Sequence, residues 1–555
     1  MLERFVNRTQ FSSWEDFSQN FQILVPEDFN FGFDVVDEIA KKDPERPALH
    51  WCDEDGHSAK LTFEQIRLRS NRVANFLRSK GIGKGDAVML ILKRRYEFWY
   101  SMVALHKIGA VAIPATHLLT TKDIVYRCNA ADIKAIISVT EERIQTEVDG
   151  AVADSPTLAH KIAINGSRPG WESLEERMAD AGDEFHRPAG EDAPSSTDVL
   201  VTYFTSGTTG LPKMVQHGAS YPLGHILTAK FWQNVRPGGL HLTVADTGWA
   251  KTAWGKIYGQ WIAGAAVLAY DMERFVPQKL LEVVSECKVS TFCAPPTVFR
   301  YLIQEDLSQY DLSALEYCVV AGEPLNPEVY NAWLKATGLR LMEGFGQTET
   351  VVILGNYPWF DPRPGSTGKP SPGWDIDLLN DEGEPCGVGE PGQIVVRTSD
   401  GVPPGMFRGY YRDDELTREM WHDGLYYTGD LAWRDEDGYY WFVGRADDII
   451  KTSGYRVGPF EVESALLEHP AVTECAVTAV PDAMRGQVVK ATCVLSKEYA
   501  GGDELAKELQ EHVKSTTAPY KYPRIVEFVD VLPKTISGKI RRTEIREQDK
   551  ERSQD

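Results

Sequence analysis

Between residues 87 and 139 short apolar runs alternate with longer amphipathic ones, and this rhythm restricts the chain more than any other feature. Residues 87–92 read as a buried strand, 96–107 as a helix closed by Gly109, and 110–114 as a second strand; a helix at 122–129 and a strand at 135–139 follow. Strands joined through helices of this length run parallel, which predicts a doubly wound α/β sheet. The alternation returns with helices at 275–287, 295–304 and 324–336 and strands at 290–293, 317–321 and 340–343. Upstream, Thr62-Phe63-Glu64-Gln65 has the form of a capping box. It opens a helix with Ile66, Val73, Phe76 and Leu77 on one face, ending at Lys80-Gly81.

At 555 residues the chain is too long for one compact core. From about 374 to 445 the texture changes to short alternating runs such as Gln393-Ile394-Val395-Val396-Arg397, separated by Gly, Asp and Pro, which predicts antiparallel strands in a small β-barrel. From Asp447 to the end a compact α+β unit is expected, with a helix at 459–468 and a strand at 473–480. The expected division is a large N-terminal domain over 1–446 and a smaller, mobile C-terminal domain over 447–555. Residues 145–196, polar and rich in Gly and Pro, are expected to form surface excursions. Residues 1–35 are aromatic and polar without clear periodicity and receive no assignment.

A formal charge of −22 argues against a nucleic-acid partner or an anionic membrane surface. The eight cysteines form no C-x-x-C pair and no zinc spacing, which suits a reducing compartment. The longest apolar-leaning run, near 259–270, is too short to span a bilayer. With no apolar stretch of signal-peptide length near Met1, a cytoplasmic protein without integral membrane association is expected.

Residues 197–204 read as a buried strand and 214–217 as a short returning one. Between them stands Thr205-Ser206-Gly207-Thr208-Thr209-Gly210-Leu211-Pro212-Lys213. The two glycines let the backbone turn its N–H groups inward, the hydroxyls add donors without bulk, and Lys213 supplies a mobile positive charge. That composition suits a polyphosphate. It is not a Walker loop, because Leu211 and Pro212 separate Gly210 from the lysine. By itself it reads equally well as a polar surface hairpin.

Further stretches change that balance. Ala321-Gly322-Glu323-Pro324 follows a strand and opens a helix, where a flat ring could lie against backbone. Glu343-Gly344-Phe345-Gly346-Gln347-Thr348-Glu349 follows the next strand, and Tyr427-Thr428-Gly429-Asp430 ends the β region. Gly444-Arg445-Ala446-Asp447-Asp448, with Lys451 and Ser453-Gly454-Tyr455-Arg456, stands at the expected boundary. Last comes Pro533-Lys534-Thr535-Ile536-Ser537-Gly538-Lys539-Ile540-Arg541-Arg542. In this order and spacing, across nearly the whole chain, these resemble the motifs of the adenylate-forming (acyl-activating) superfamily. Ala245-Asp246-Thr247-Gly248-Trp249 and Tyr520-Lys521-Tyr522-Pro523-Arg524 look most like medium-chain acyl-CoA synthetases.

The resemblance implies an N-terminal AMP-binding domain, a C-terminal domain carrying a catalytic lysine, and a two-step reaction. A carboxylate attacks the α-phosphate of Mg-ATP, giving acyl-AMP and pyrophosphate, and the CoA thiol then displaces AMP. It implies that Thr205, Ser206, Gly207, Thr208, Thr209, Gly210 and Lys213 cover the β- and γ-phosphates. Thr348 would bond the α-phosphate, and Glu349 would bind Mg²⁺, a hard cation that favours carboxylate oxygen. Phe345, within the Glu343-Gly344-Phe345 stretch, would stack on adenine, with Gly322, Glu323 and Pro324 opposite. Asp430 would accept the ribose hydroxyls, Arg445 would reinforce that side and Arg456 would meet phosphate. Lys539 would bridge the attacking carboxylate and the α-phosphate; such a positioned group is worth about 10²–10³ in rate. Asp447 corresponds to the hinge of the family, and Gly454 to the border of the pantetheine tunnel. Taken singly, Glu349, Asp430, Arg445 and Lys539 are ordinary solvated charges and Phe345 a core residue; in series they read as one site.

Acetyl-CoA synthetases of the superfamily carry a tryptophan where this chain has Gly346, so the resemblance implies an acyl pocket extending past that glycine, with Trp249 as another wall. The expected substrate is a medium-chain, branched or aryl acid rather than acetate, with ATP, Mg²⁺ and CoA as cofactors and co-substrates. His217, near the acyl pocket of some relatives, reads better as a satisfied core histidine. Two other functions remain open at this point: an aryl-CoA ligase or a stand-alone enzyme loading a carrier protein, and a non-catalytic nucleotide-binding homologue. No carrier domain is legible before the chain ends.

Overall fold

The computed structural model describes residues 1–205, 211–453, 455–482, 484–534 and 540–552. Two large sheets carry the first part. The seven-stranded sheet runs Glu172–Ser173, His160–Ile164, Ile133–Val139, Ala87–Ile91, Val111–Pro114, Val199–Thr205 and Lys213–Gly218, parallel except for the last pair. The nine-stranded sheet has a parallel centre formed by Pro47–Asp53, Ala266–Asp271, Leu240–Thr243, Thr291–Ala294, Tyr317–Val320 and Leu341–Phe345. Antiparallel strands finish both of its edges. The rhythm of the sequence therefore becomes two doubly wound layers.

Local signals set the element ends. Helix Phe63–Ser79 starts at a reciprocal capping box: the Gln65 amide donates to Thr62 Oγ1 at 3.3 Å, and the Thr62 amide donates to Gln65 Oε1 at 3.0 Å. Ile66, Val73, Phe76 and Leu77 are buried as their spacing predicts. Helix Glu97–Ile108 stops at Gly109, whose φ of +71° lies in the left-handed region that favours glycine.

Residues 145–196 are more than surface excursions, which corrects the sequence expectation. They continue helix Glu142–Ala151 and supply strands His160–Ile164 and Glu172–Ser173, with helix Leu174–Asp180 following. Only Ile162, Ala163 and Ile164 are fully buried in the longer strand, a run too short to stand out from its polar flanks. The unassigned N-terminus also has a structural explanation. Phe11, Trp14, Phe17 and Phe21 pack against Phe231, Tyr357 and Trp359, with the Phe17 and Trp359 rings stacked at 4.5 Å.

Residues 375–445 form an antiparallel half-barrel of five strands: Asp375–Leu379, Gly392–Arg397, Trp421–His422, Leu425–Arg434 and Tyr440–Arg445. The C-terminal part is a second five-stranded sheet around the long pair Val472–Asp482 and Gly486–Leu495, covered by helices Pro459–Leu467, Asp503–Thr516 and Arg542–Arg552. Among the described residues no helix is long and apolar enough to cross a membrane.

Candidate active site

Strand Leu341–Phe345 runs through the middle of the site, and the two-residue period of its side chains separates two chemistries. On one face lie Gly344 and Gly346. A Cβ on Gly344 would stand 2.6 Å from Trp232 Cζ2, and one on Gly346 would stand 2.6 Å from Trp254 Cη2. The two indoles meet edge to face, with centroids 6.0 Å apart. The glycines are therefore the gaps into which two tryptophans fit. Trp254 is buried, so in this structure the room past Gly346 is filled. That corrects the expectation of a pocket left open there. Trp249 is only partly exposed, at the start of the short helical stretch that carries Trp254.

The other face carries Glu343 and Phe345. The Phe345 ring is half-buried, with its centroid 6.1 Å from that of Phe442. Glu343 is fully buried, and burial pushes its carboxyl up to about 8 despite a backbone hydrogen bond from Leu325. That bond ties Glu343 to the segment just after Gly322, Glu323 and Pro324. Gly322 adopts φ +103°, and the carbonyl before it, on Ala321, accepts a 2.6 Å hydrogen bond from Lys251 Nζ. Glu323 accepts from the Thr297 hydroxyl at 2.6 Å.

Beyond the strand, Gln347 organises the turn. Its backbone amide donates to Thr350 Oγ1 at 3.0 Å, and its side-chain amide donates to the Thr428 carbonyl at 2.7 Å and to the Asp430 carboxylate. Tyr426 donates to the Gln347 side-chain oxygen at 2.8 Å. Asp430 is buried opposite Arg445 in the strand register, with Arg445 Nε 3.6 Å from its carboxylate and 3.6 Å from that of Asp447. The Thr348 carbonyl accepts from His217 Nε2 at 2.7 Å. Burial holds His217 down to about 3, so it is a neutral imidazole, and its ring stacks on Tyr221 at 3.7 Å. Its Nδ1 has no partner among the described residues, so only one nitrogen of this core histidine is satisfied.

Glu349 and Lys213 meet through a residue that sequence reasoning missed. Residues 409–411 run along strand Lys213–Gly218, with the Tyr411 amide donating to the Met214 carbonyl at 2.8 Å. This puts Tyr410 between them. Its hydroxyl donates to Glu349 Oε1 at 2.8 Å, and Lys213 Nζ lies 5.4 Å from the centre of its ring. Thr205 pairs with Lys213 in the strand register, so the two ends of the loop stand side by side. Ser206, Gly207, Thr208, Thr209 and Gly210, together with Gly454 and Lys539, lie outside the described residues. Gln347 was visible inside a quoted motif; Tyr410, Trp254 and Lys251 carried no local signal.

The structure does not bring Arg456 to this centre. Arg456 pairs with Asp381 at the edge of the half-barrel, which departs from the phosphate contact expected of it. Other contacts join the same regions. Asn326 caps helix Pro327–Thr337 and donates to the Ser464 carbonyl at 3.2 Å. Asp448, next to Asp447, receives Arg546 at 2.7 Å and lies 3.7 Å from Arg542.

Residues 36–411 match the family model described as AMP-binding enzyme, and residues 461–539 match that of the AMP-binding enzyme C-terminal domain. The chain therefore belongs to the AMP-binding enzyme family. It is similar to the mitochondrial acyl-coenzyme A synthetase ACSM3 of Mus musculus, 43% identical over 97% of this chain and 94% of that protein. It is 42% identical to the mitochondrial acyl-coenzyme A synthetase ACSM5 of Homo sapiens, over 97% and 93% of the two chains. Among solved structures, the anthranilate CoA ligase AuaEII, in complex with anthranoyl-AMP, superposes with a TM-score of 0.87 at 30% identity, covering 96% of this chain and 99% of that one. Within the family the chain is thus an acyl-CoA synthetase, an acid–thiol ligase. The cytoplasmic expectation is corrected by the same comparison, because these relatives are mitochondrial enzymes. A lack of membrane-length apolar runs does not distinguish one aqueous compartment from another.

Proposed function

We propose that the protein activates a medium-chain or branched carboxylic acid as its acyl-AMP, releasing pyrophosphate, and then transfers the acyl group to CoA. The observation that carries this reading is the two-sided strand Leu341–Phe345. Its Phe345 face, closed by Gly322–Pro324, Asp430 and Arg445, suits a nucleoside: a flat ring, a buried carboxylate for two hydroxyls, and a cation behind it. The acyl chain is assigned to the side of the strand's glycine face, where Trp232 and Trp254 already fill the gaps at Gly344 and Gly346 and would bound the length of the chain. The two faces meet at Thr348 and Glu349, where the carboxylate and the α-phosphate would react.

Mg²⁺ fits this donor set. Glu349 offers a carboxylate with Oε1 already oriented by Tyr410, and one such ligand suffices for an ion that takes its other oxygens from phosphate and water. When bound, the ion would neutralise phosphate charge. Lys213 would draw the β- and γ-phosphates from the far side of Tyr410, and Lys539 would supply charge to the forming acyl phosphate. Residues 447–555 form the moving unit in this reading, with Asp447 as the hinge and Gly454 beside the pantetheine path.

The test is carboxylate-dependent ATP–pyrophosphate exchange, followed by detection of the CoA thioester, over straight acids from C2 to C10 and branched and aryl acids. Exchange and thioester formation should both peak on medium or branched acids. Exchange without thioester would point to a carrier-protein acceptor, and neither would overturn the reading.

A further inference from the structure

The short helical stretch Lys251–Gly255 ends just after Trp254, and the Trp254 carbonyl receives no backbone N–H among the described residues. Two side-chain amides take that place. Gln233 Nε2 donates to the carbonyl at 3.1 Å, and Gln260 Nε2 donates to it at 2.9 Å. Gln260 Nε2 also donates to Gln233 Oε1 at 2.6 Å, so the two amides and the carbonyl close a triangle. Both glutamines are fully buried, and Gln260 Oε1 has no partner among the described residues. Gln233 follows Trp232 directly, at the end of the π-helical stretch Leu227–Trp232, and Gln260 lies in helix Tyr258–Ala263. The triangle therefore ties together the segments that carry the two indoles and a third helix. A hydrogen bond fixes angle as well as distance, and two of them on one carbonyl leave the main chain at Trp254 little freedom to rotate. On the other side, Gly255 lies so close to strand Leu240–Thr243 that a Cβ there would collide with the Thr243 hydroxyl.

We infer that Gln233 and Gln260 are positioning residues for acyl-chain length. They hold the Trp254 indole over Gly346, and the indole bounds the chain; neither glutamine touches substrate. The inference rests on the assignment of the acyl chain to the glycine face. Without the triangle the indole is free to leave Gly346, and the site admits longer acids. Each methylene that a longer acid then buries raises its kcat/KM about fourfold.

The experiment measures kcat/KM for butanoate and octanoate in the full chain, with thermal unfolding as a check on the fold. Gln260→Met keeps an unbranched side chain of similar size and removes both donated bonds. Gln233→Met removes one donor and one acceptor and is read in parallel, so the test stands if one variant does not fold. In either variant the octanoate-to-butanoate ratio should rise about fourfold or more, with KM for ATP unchanged. In a Trp254→Leu background the same glutamine substitution should add nothing, because the indole it holds is gone. A ratio that shifts in Trp254→Leu but in neither glutamine variant would overturn the inference and leave the acyl-side assignment standing. So would a shift that adds in full to that of Trp254→Leu. Loss of fold in both glutamine variants, or an equal loss on both acids, would mark the triangle as structural only and overturn it too. A ratio that moves in none of the variants, Trp254→Leu included, would remove the acyl-side assignment and the inference with it.

Discussion

The Tyr410 hydroxyl donates a 2.8 Å hydrogen bond to Glu349, and the same ring lies under the ammonium of Lys213. One tyrosine thus links the loop expected to hold leaving phosphates to the carboxylate expected to hold the metal ion. A hydrogen bond to a charged group is worth about 1.5–3 kcal/mol. Tyr410→Phe, which keeps the ring and removes the donor, should slow pyrophosphate exchange by about 10- to 100-fold and raise the Mg²⁺ concentration needed for half-maximal rate. Thioester formation from supplied acyl-AMP should be unaffected. Equal loss in both half-reactions would show that Tyr410 acts through the fold.

The two lysines should behave differently. Lys539→Ala should lower adenylation by about 10²–10³ while leaving the thioester step from acyl-AMP in place. Lys213→Ala should have the milder effect, seen as a higher KM for ATP. The comparison is made by running each half-reaction separately; a Lys213→Ala defect as deep as that of Lys539→Ala would reverse the assignment.

Asp447→Pro would restrict φ at the proposed hinge and should trap one arrangement of the C-terminal unit. One half-reaction should then survive and the other fail. Full activity in both would remove Asp447 from that role.

Trp254, rather than residue 346, should set acyl-chain length. Trp254→Leu should raise the kcat/KM ratio of octanoate over butanoate by about tenfold or more, since each buried methylene is worth about 0.8 kcal/mol. Gly346→Ala should mainly cost stability, about 1–3 kcal/mol, because its methyl would press on Trp254 and the Val351 carbonyl. Thermal unfolding and a chain-length series check both, and an unshifted series in Trp254→Leu would show that another wall limits the pocket.

Glu343 should make stability depend on pH. Its folded carboxyl titrates near 8 because it is buried, against 4.5 for an ordinary glutamate. Below about 4.5 it is protonated in both states and costs nothing as a charge. Between 4.5 and 8 the unfolded chain releases a proton that the folded chain keeps, so stability is lost as pH rises through this window. Glu343→Gln removes that loss and should be more stable than the parent by a growing margin from pH 5 to 8, reaching about a few kcal/mol. Denaturant unfolding at several pH values measures it; parallel curves would mean that Glu343 ionises without cost.

The residues proposed for the nucleotide side stand in order along the chain. Gly322–Pro324 follow strand Tyr317–Val320 and Phe345 ends strand Leu341–Phe345, and the ends of strands are where a doubly wound sheet places ligands, whereas Asp430 lies within strand Leu425–Arg434 of the half-barrel. The acyl side was not legible. Gly346 could be read as an opening only while its neighbour was unknown, and Trp254 lies far from it in sequence. Arg456 was read by its position after Gly454, but a long side chain takes the nearest available carboxylate, which in this structure is that of Asp381. The strand at 160–164 was missed because its pattern is short and its burial comes from neighbours.

The sequence by itself determined the βα rhythm, the helix start at Thr62, the helix stop at Gly109 and the order of the motifs, because propensity, capping and turn chemistry act over a few residues. The tertiary structure decided what each functional group touches. Tyr410 reaches Glu349 because two strand-like segments align, and Trp254 covers Gly346 because a helical stretch packs over that face. Such contacts join residues far apart along the chain. Close packing of the interior selects them, and no local pattern encodes that selection.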